Sequence, residues 1–198
     1  MSASDDKERP RVGDWRQCVS GRQVWCLDYR PEDVSITDIA HSLSNIHRFG
    51  GESNLSVAQH SVHVSEVLQS SKQEISICLW GLLHDTAEGI VGIDMPRPVK
   101  RHLLIDYQGE VKPYTWLEDK ITQVIIERFG LTWPMPESVH HADNVMLATE
   151  ARWLYDTLVD NWKLWELPEV FPIKLEAWTP ERARREFLQR FVELGGKE

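Results

Sequence analysis

The stretch Ile77-Cys78-Leu79-Trp80-Gly81-Leu82-Leu83-His84-Asp85 decides how this chain is read. An uncharged, mostly apolar run leads straight into an imidazole and a carboxylate, and Glu88 follows one helical turn after His84. Burying such groups behind an apolar run is costly unless something pairs them. A divalent metal pairs both at once. His60 and Asp143 are the further candidate ligands, which would make a site of two His and two Asp drawn from separate helices.

The periodicity predicts a helix from about Gln73 to Glu88, with Ile75, Cys78, Leu79, Leu82 and Leu83 as its buried face. Consecutive helical residues point about 100° apart. His84 and Asp85 can then share one ion only if it lies in the wedge between them. Upstream, Ser56 can cap a helix whose apolar face is Val57, Val64, Val67 and Leu68, and His60 falls on that face. A lone His there is more often a core residue bonded to a carbonyl than a ligand. Downstream, a helix from Glu137 or Ser138 to about Leu158 carries the stripe Val139, Ala142, Met146, Trp153 and Leu154, with Asp143 on it. That signal is stronger, because Asp is almost never buried unpaired. The mixed N/O donor set suits Zn, Mn, Fe, Co or Ni better than Ca, and it lacks the thiolates of a structural zinc site.

The remaining segments complete a mostly α fold, a helical bundle with a small N-terminal β-hairpin. A strand over Arg22–Tyr29, a turn at Arg30-Pro31-Glu32-Asp33 and a strand over Val34–Ile36 make the hairpin. Thr37-Asp38 caps a short helix bearing Ile39, Leu43 and Ile46, which Gly50-Gly51 stops. After the hairpin everything reads as helix and loop. Residues 89–101 form a Gly/Pro-rich loop, placed for substrate contacts directly after the motif. Thr115 opens a helix bearing Leu117, Ile121, Val124 and Ile125; Trp162 to Trp178 reads as irregular. Thr179-Pro180-Glu181 starts a final helix, with Pro at its first position. Residues 1–20 read as a polar segment, partly disordered, and 21–198 as a single domain.

A net charge of -9 excludes broad contact with duplex nucleic acid or an anionic membrane, though not binding of a small phosphorylated ligand. No stretch approaches the roughly 20 apolar residues that span a bilayer. Three cysteines without a CxxC pattern suggest a reducing, cytoplasmic setting. His41, His47, His63, His102, His140 and His141 read as surface or capping residues, and the tryptophans as packing aromatics. Glu150 and Arg152 read either as a surface pair or as support for the site.

The order His60, His84-Asp85, Asp143 resembles the HD-domain metal-dependent phosphohydrolases. The segments Ser44-Asn45-Ile46-His47-Arg48-Phe49, Ser56-Val57-Ala58-Gln59-His60-Ser61, Leu83-His84-Asp85-Thr86-Ala87-Glu88 and Asp94-Met95-Pro96-Arg97-Pro98-Val99-Lys100 are similar to those of the branch that includes bacterial 5'-deoxynucleotidases and phage-borne relatives. Ala142 to Glu150 matches that branch too, so the likeness spans roughly Val24 to Glu150 and the tail adds little to it.

The resemblance implies that His60, His84, Asp85 and Asp143 hold one divalent transition metal. Glu88 would orient or deprotonate the attacking water, and Asp94 would position the leaving sugar oxygen. Arg48 and Lys100 would bind phosphate. Phe49 would sit against the sugar, crowding out a ribose 2'-hydroxyl. Ten positions separate His84 from Asp94, one more than that branch has. The implied partner is a small nucleotide, most readily a deoxyribonucleotide, and the implied assembly a homo-oligomer with Trp162 and Trp165 as interface candidates. The expected activity is hydrolysis of a deoxynucleoside monophosphate. The alternatives are a deoxynucleoside triphosphate hydrolase, for which Arg97, Lys100 and Arg101 offer further cations, and a non-catalytic nucleotide sensor.

Overall fold

The computed structural model describes residues 10–156 and 170–197. A minimal antiparallel hairpin, β1 (Arg16–Gln17) and β2 (Gln23–Val24), precedes the helices. It lies earlier than expected. β1 falls inside the segment read as polar tail, and Cys18 and Val24 are buried in the core. The stretch read as its second strand is not one. Ile36 opens α1 (Ile36–Asn45), because the Ser35 side chain accepts from the Asp38 amide and caps a helix there.

α1 ends well before Gly50-Gly51. From Ile46 the chain loops out and returns, closed by bonds from the Arg48 amide to Leu55 O (2.9 Å) and from the Val57 amide to Ile46 O (2.9 Å). Ser56 then caps α2 (Val57–Ser70), as expected. α2 is the central helix: it packs on α1, on α3 (Ile75–Leu83), on α7 (Glu137–Leu154) and on α8 (Pro180–Glu193). Gly81 lets α3 approach α2 closely; a Cβ there would overlap Leu68 Cδ1.

The helix expected to run through Glu88 is broken. α3 stops at Leu83, Asp85 leaves helical geometry (φ -101°, ψ 15°), and α4 (Thr86–Val91) begins anew. The following segment contains only a single-turn α5 (Arg97–Lys100). Next comes a second antiparallel hairpin, β3 (Leu104–Tyr107) with β4 (Glu110–Pro113), where only helix and loop were expected. Its two-residue turn, Gln108-Gly109, has positive φ at both positions (57° and 82°), the geometry that suits the twist of a tight hairpin. α6 (Tyr114–Arg128) starts one residue before Thr115 and buries Leu117, Ile121 and Ile125.

α7 buries Val139, Ala142 and Met146, but Trp153 at its end is exposed. The Trp162 and Trp165 interface candidates, and the expected helix end at Leu158, lie outside the described residues. α8 carries the cap and the first-position Pro that the sequence predicts. Ala183, Phe187 and Phe191 bury it against the core, where it packs on α1 and α2. The tail is therefore structural: Gln59 of α2 also donates to Glu176 O (2.8 Å) and accepts from the Trp178 amide (3.0 Å). No described helix is long and apolar enough to cross a membrane.

Candidate metal centre

The break at His84-Asp85 removes the 100° constraint. With Asp85 out of the helix, its carboxylate turns back beside the preceding ring, and Asp85 Oδ2 lies 3.1 Å from His84 Nε2. His60, fully buried on α2, brings its Nε2 to 3.7 Å from Asp85 Oδ2 and 3.2 Å from Asp143 Oδ1 on α7. His84 Nε2 is 3.9 Å from the same Asp143 oxygen. The donor atoms of His60, His84 and Asp143 all lie within 4.8 Å of one another, and Asp85 flanks that trio against the two rings.

The other ring nitrogens say which face is turned to the cluster. His60 Nδ1 lies 2.7 Å from Glu150 Oε1, and His84 Nδ1 lies 2.7 Å from the Gly81 carbonyl. Both partners are acceptors, so in the neutral rings both Nδ1 atoms carry the proton, leaving bare lone pairs on Nε2. Neither Nε2 has a hydrogen-bond partner, although both are buried. Carboxylate oxygens stand close to them but out of line for hydrogen bonding. Two lone pairs and two carboxylates around one point form a donor set for a divalent cation. Their separations of 3.1–3.9 Å are near the roughly 3–3.5 Å expected between neighbouring donors at about 2.1 Å from a shared ion.

Electrostatics agree with an anionic cluster that needs a cation. Burial pushes Asp143 up, but His60 and His84 outweigh it and hold its pKa down at about 2. Asp85 is likewise held far below the ordinary range by His84, His60 and Arg48, against its burial. Burial and Arg48 oppose protonation of His60, yet Glu150 and Asp143 outweigh them and raise its pKa to about 9. Glu88 stands apart. Burial, then Asp85 and Asp94, push its pKa well above the ordinary carboxylate value, and its Oε2 is buried without a partner.

A cavity of about 360 Å³ opens over the cluster. Arg48, Asp85, Glu88, Asp94, Arg97, Lys100 and Asp143 line its charged part, Arg97 Nη2 donating to Asp143 Oδ2 at 3.1 Å; Phe49, Gly50, Met95, Pro96, Pro98 and Leu147 line an apolar part. Every candidate site residue of the sequence therefore reaches this cavity except the enclosed His60 and His84. Asp94 does so despite the extra residue before it, its Oδ2 lying 3.9 Å from Arg48 Nη1. Lys100 is held between Glu118 Oε1 (2.8 Å) and Glu88 Oε1 (3.7 Å). Phe49 has φ 59°, a left-handed geometry that costs a bulky residue energy. Its ring meets Tyr155 edge-on with centroids 5.9 Å apart.

Glu150 is the residue whose role the sequence left open. It is buried, and besides His60 it binds Arg48 through Nε at 3.2 Å. One carboxylate thus fixes the tautomer of a metal-facing ring and aims the guanidinium beside it. Its position seven residues after Asp143, two turns along the same helix, was the available signal. Arg152, by contrast, donates back to Ala148 O within α7, and among the described residues it makes no bond to the cluster. His63 is buried rather than at the surface, on Glu66 (2.8 Å) and edge-on to Trp178, away from the cluster.

YfdR of Escherichia coli, an uncharacterised protein, is 36% identical to this chain over 181 residues, covering 88% of the chain and 92% of YfdR. This chain belongs to the YfdR family. An uncharacterised protein of Rhodobacter capsulatus is 34% identical over 144 residues, covering 70% of the chain and 69% of that protein. No family model matches the chain.

Proposed function

We propose that this chain is an HD-type, metal-dependent phosphohydrolase that removes the 5'-phosphate from deoxynucleoside monophosphates. The observation that carries the reading is the pair of buried Nε2 atoms, without hydrogen-bond partners among the described residues, facing Asp85 and Asp143, with Glu88 contributing a buried Oε2 that likewise has none. His60, His84, Asp85 and Asp143 would hold one divalent transition metal. Such an ion supplies Lewis acidity and lowers the pKa of water.

The chain's own residues divide the remaining work. Glu88, with its raised pKa, takes the proton of the attacking water, as suits a general base working near neutral pH. Arg48 is aimed by Glu150 and offers Nη1 and Nη2 to the phosphate. Asp94 stands across from Arg48 and orients the sugar-side oxygen. The apolar part of the cavity receives the nucleoside, and Phe49, fixed by its loop and by Tyr155, lies where a 2'-hydroxyl would be crowded.

Charge favours a monophosphate over a triphosphate. Four carboxyls and three cations line the cavity. One divalent ion brings the sum to a single positive charge, or two with Glu88 protonated. With Glu88 ionised, as its role as base requires, that sum falls one charge short of a phosphate monoester dianion and further short of a triphosphate chain, so the smaller anion is favoured. The retained Glu88 argues against a mere sensor, which has no use for a buried base.

The test is a substrate profile of Mn- or Co-loaded protein with deoxynucleoside and ribonucleoside mono- and triphosphates. Phosphate release confined to deoxynucleoside monophosphates is expected. Release of a longer phosphate chain from triphosphates would overturn the monophosphate reading. No turnover with metal and nucleotide bound would leave a sensor. Glu88→Gln should bind metal normally and lose about 10²- to 10⁴-fold in kcat.

A further inference from the structure

α4, the helix that carries Glu88, has six residues, too few to hold its own shape. Its N-cap residue, Asp85, makes no side-chain capping bond, since its carboxylate is turned to the metal cluster. Where Glu88 sits therefore depends on what grips the other end. There Gly92 adopts a left-handed turn, and the Gly92 and Ile93 amides return to Glu88 O at 2.6 and 3.2 Å. The carbonyls of Gly89 and Ile90 point out of the helix. Arg16, from the N-terminal hairpin, reaches both: Nε donates to Ile90 O at 2.9 Å and Nη2 to Gly89 O at 2.7 Å. Cys26 Sγ adds a third contact to Ile90 O at 3.2 Å. Gly89 also packs tightly on Leu43 of α1, where a Cβ would lie 3.1 Å from Leu43 Cδ2.

We propose that Arg16 is a positioning residue for Glu88. The inference rests on the phosphohydrolase reading above. A planar fork that makes two roughly parallel bonds to successive carbonyls blocks rotation of α4 about its axis as well as sliding along it. A lysine, with one ammonium, cannot do both. The guanidinium charge also complements the negative end of the helix. The pinned carbonyls are one and two residues from Glu88, so slack at Arg16 passes directly to the carboxyl. Among the described residues, Arg16 is not part of the lining of the cavity over the cluster and its side chain bonds to none of the four candidate ligands. It lines a separate open hollow of about 320 Å³ with Cys18, His41, Asn45, Ile46 and Gly92. A free guanidinium ion can therefore reach its place when the side chain is cut back.

The experiment uses the full chain, with Arg16→Ala and Arg16→Lys. In Mn-loaded protein, kcat should fall about 10- to 100-fold for Arg16→Ala, the usual result of misplacing a reacting group. KM and metal affinity should stay within about twofold, as for loss of an interaction made only in the transition state. Millimolar guanidinium, but not ammonium or sodium chloride, should restore part of kcat. In metal-free protein, the Gly92 and Ile93 amides should exchange faster with solvent while those of α2 do not. Parental kcat, or a loss of metal binding and melting temperature together without guanidinium rescue, overturns the proposal. If Arg16→Ala does not fold, Arg16→Lys decides: it must lose kcat at near-parental melting temperature, and parental kcat refutes the role. If the parent hydrolyses no nucleotide, the functional reading has failed. Amide exchange in α4 then judges the positioning alone, and unchanged exchange in Arg16→Ala rejects it.

Discussion

Replacing Glu150 by Gln changes two atoms and tests the whole site. Glu150 accepts from His60 Nδ1 at 2.7 Å and from Arg48 Nε at 3.2 Å, one oxygen for each. The amide has one oxygen and one NH2. If the oxygen serves Arg48, the NH2 faces the Nδ1 proton of His60. His60 then avoids the clash only by moving its proton to Nε2, the nitrogen that faces Asp143 and the metal position. If the oxygen serves His60, the NH2 faces Arg48 and leaves a buried guanidinium N–H unpaired. The second arrangement leaves a buried donor unpaired, at about 1–3 kcal/mol; the first keeps both bonds and moves the cost to the nitrogen that faces the metal position. Where the His60 tautomer absorbs the cost, metal affinity should drop about 10- to 100-fold, the range for lost partners of ligating histidines. Calorimetric titration with Mn or Co reads the affinity, and a melting curve reads the stability. Glu150→Ala should be worse in stability, by up to about 3 kcal/mol, since Arg48 loses its nearest and most deeply buried carboxylate and keeps only Asp85 and Asp94 at 3.7 and 3.9 Å, while His60 Nδ1 loses its acceptor. If Glu150→Gln binds metal as tightly as the parent and melts at the same temperature, the assignment of Glu150 as organiser of His60 and Arg48 is wrong.

Metal affinity should rise with pH up to about 9, because the metal-free His60 holds a second proton below that value and must give it up to bind; pH-independent binding would contradict this. The same raised pKa means that native metal-free protein binds more protons than the unfolded chain between about 6.5 and 9. Metal-free stability from this group is full below about 6.5 and is lost as pH climbs to about 9, which denaturant melts at several pH values will read. Saturating Mn at about 100 times Kd should add about 2.7 kcal/mol, or roughly 5–10 °C in Tm, and chelation should remove it; His84→Ala should show no such shift. Gly81→Ala should lose stability by about 1 kcal/mol, since overlap with the buried Leu68 outweighs the helix-propensity gain. It should also weaken metal binding, because α2 and α3 carry His60 and His84 with ring centroids 5.3 Å apart; tighter folding with unchanged metal affinity would refute the close-approach argument.

Much of this was legible in the chain because burial and charge conflict openly. Asp143 on an apolar stripe and His84-Asp85 behind one announce a cation site with no structure needed. The helix caps at Ser56 and Thr179 read correctly because their signals are local. What misled was also local. Asp85 with Glu88 three residues on does carry the pattern of a helix N-terminus, but the apolar periodicity running up to His84 masked it. The hairpin at Leu104–Pro113 hid behind a turn, Gln108-Gly109, with Gln at the position where Asn or Asp gives the familiar signal. Glu150 could not be ranked above a surface acid, because its partners are 90 and 102 residues away. Arg16 left no trace in pattern at all: an arginine in a short polar stretch looks the same whether it faces water or two carbonyls.

The packing of α8 on α1 has a consequence for how the protein is made. These helices bracket nearly the whole chain, from Ile36 to Glu193. At about 5–20 residues per second of synthesis, α1 waits roughly 7–30 s for its partner. During that interval the faces of α1 and α2 on which α8 later packs wait for their cover. A ribosome stalled before residue 180 would hold a nascent chain with every candidate metal ligand already synthesised and an open core. Such a chain is a substrate for holding chaperones, and its burden on the cell should grow with any slow codons placed between α7 and α8.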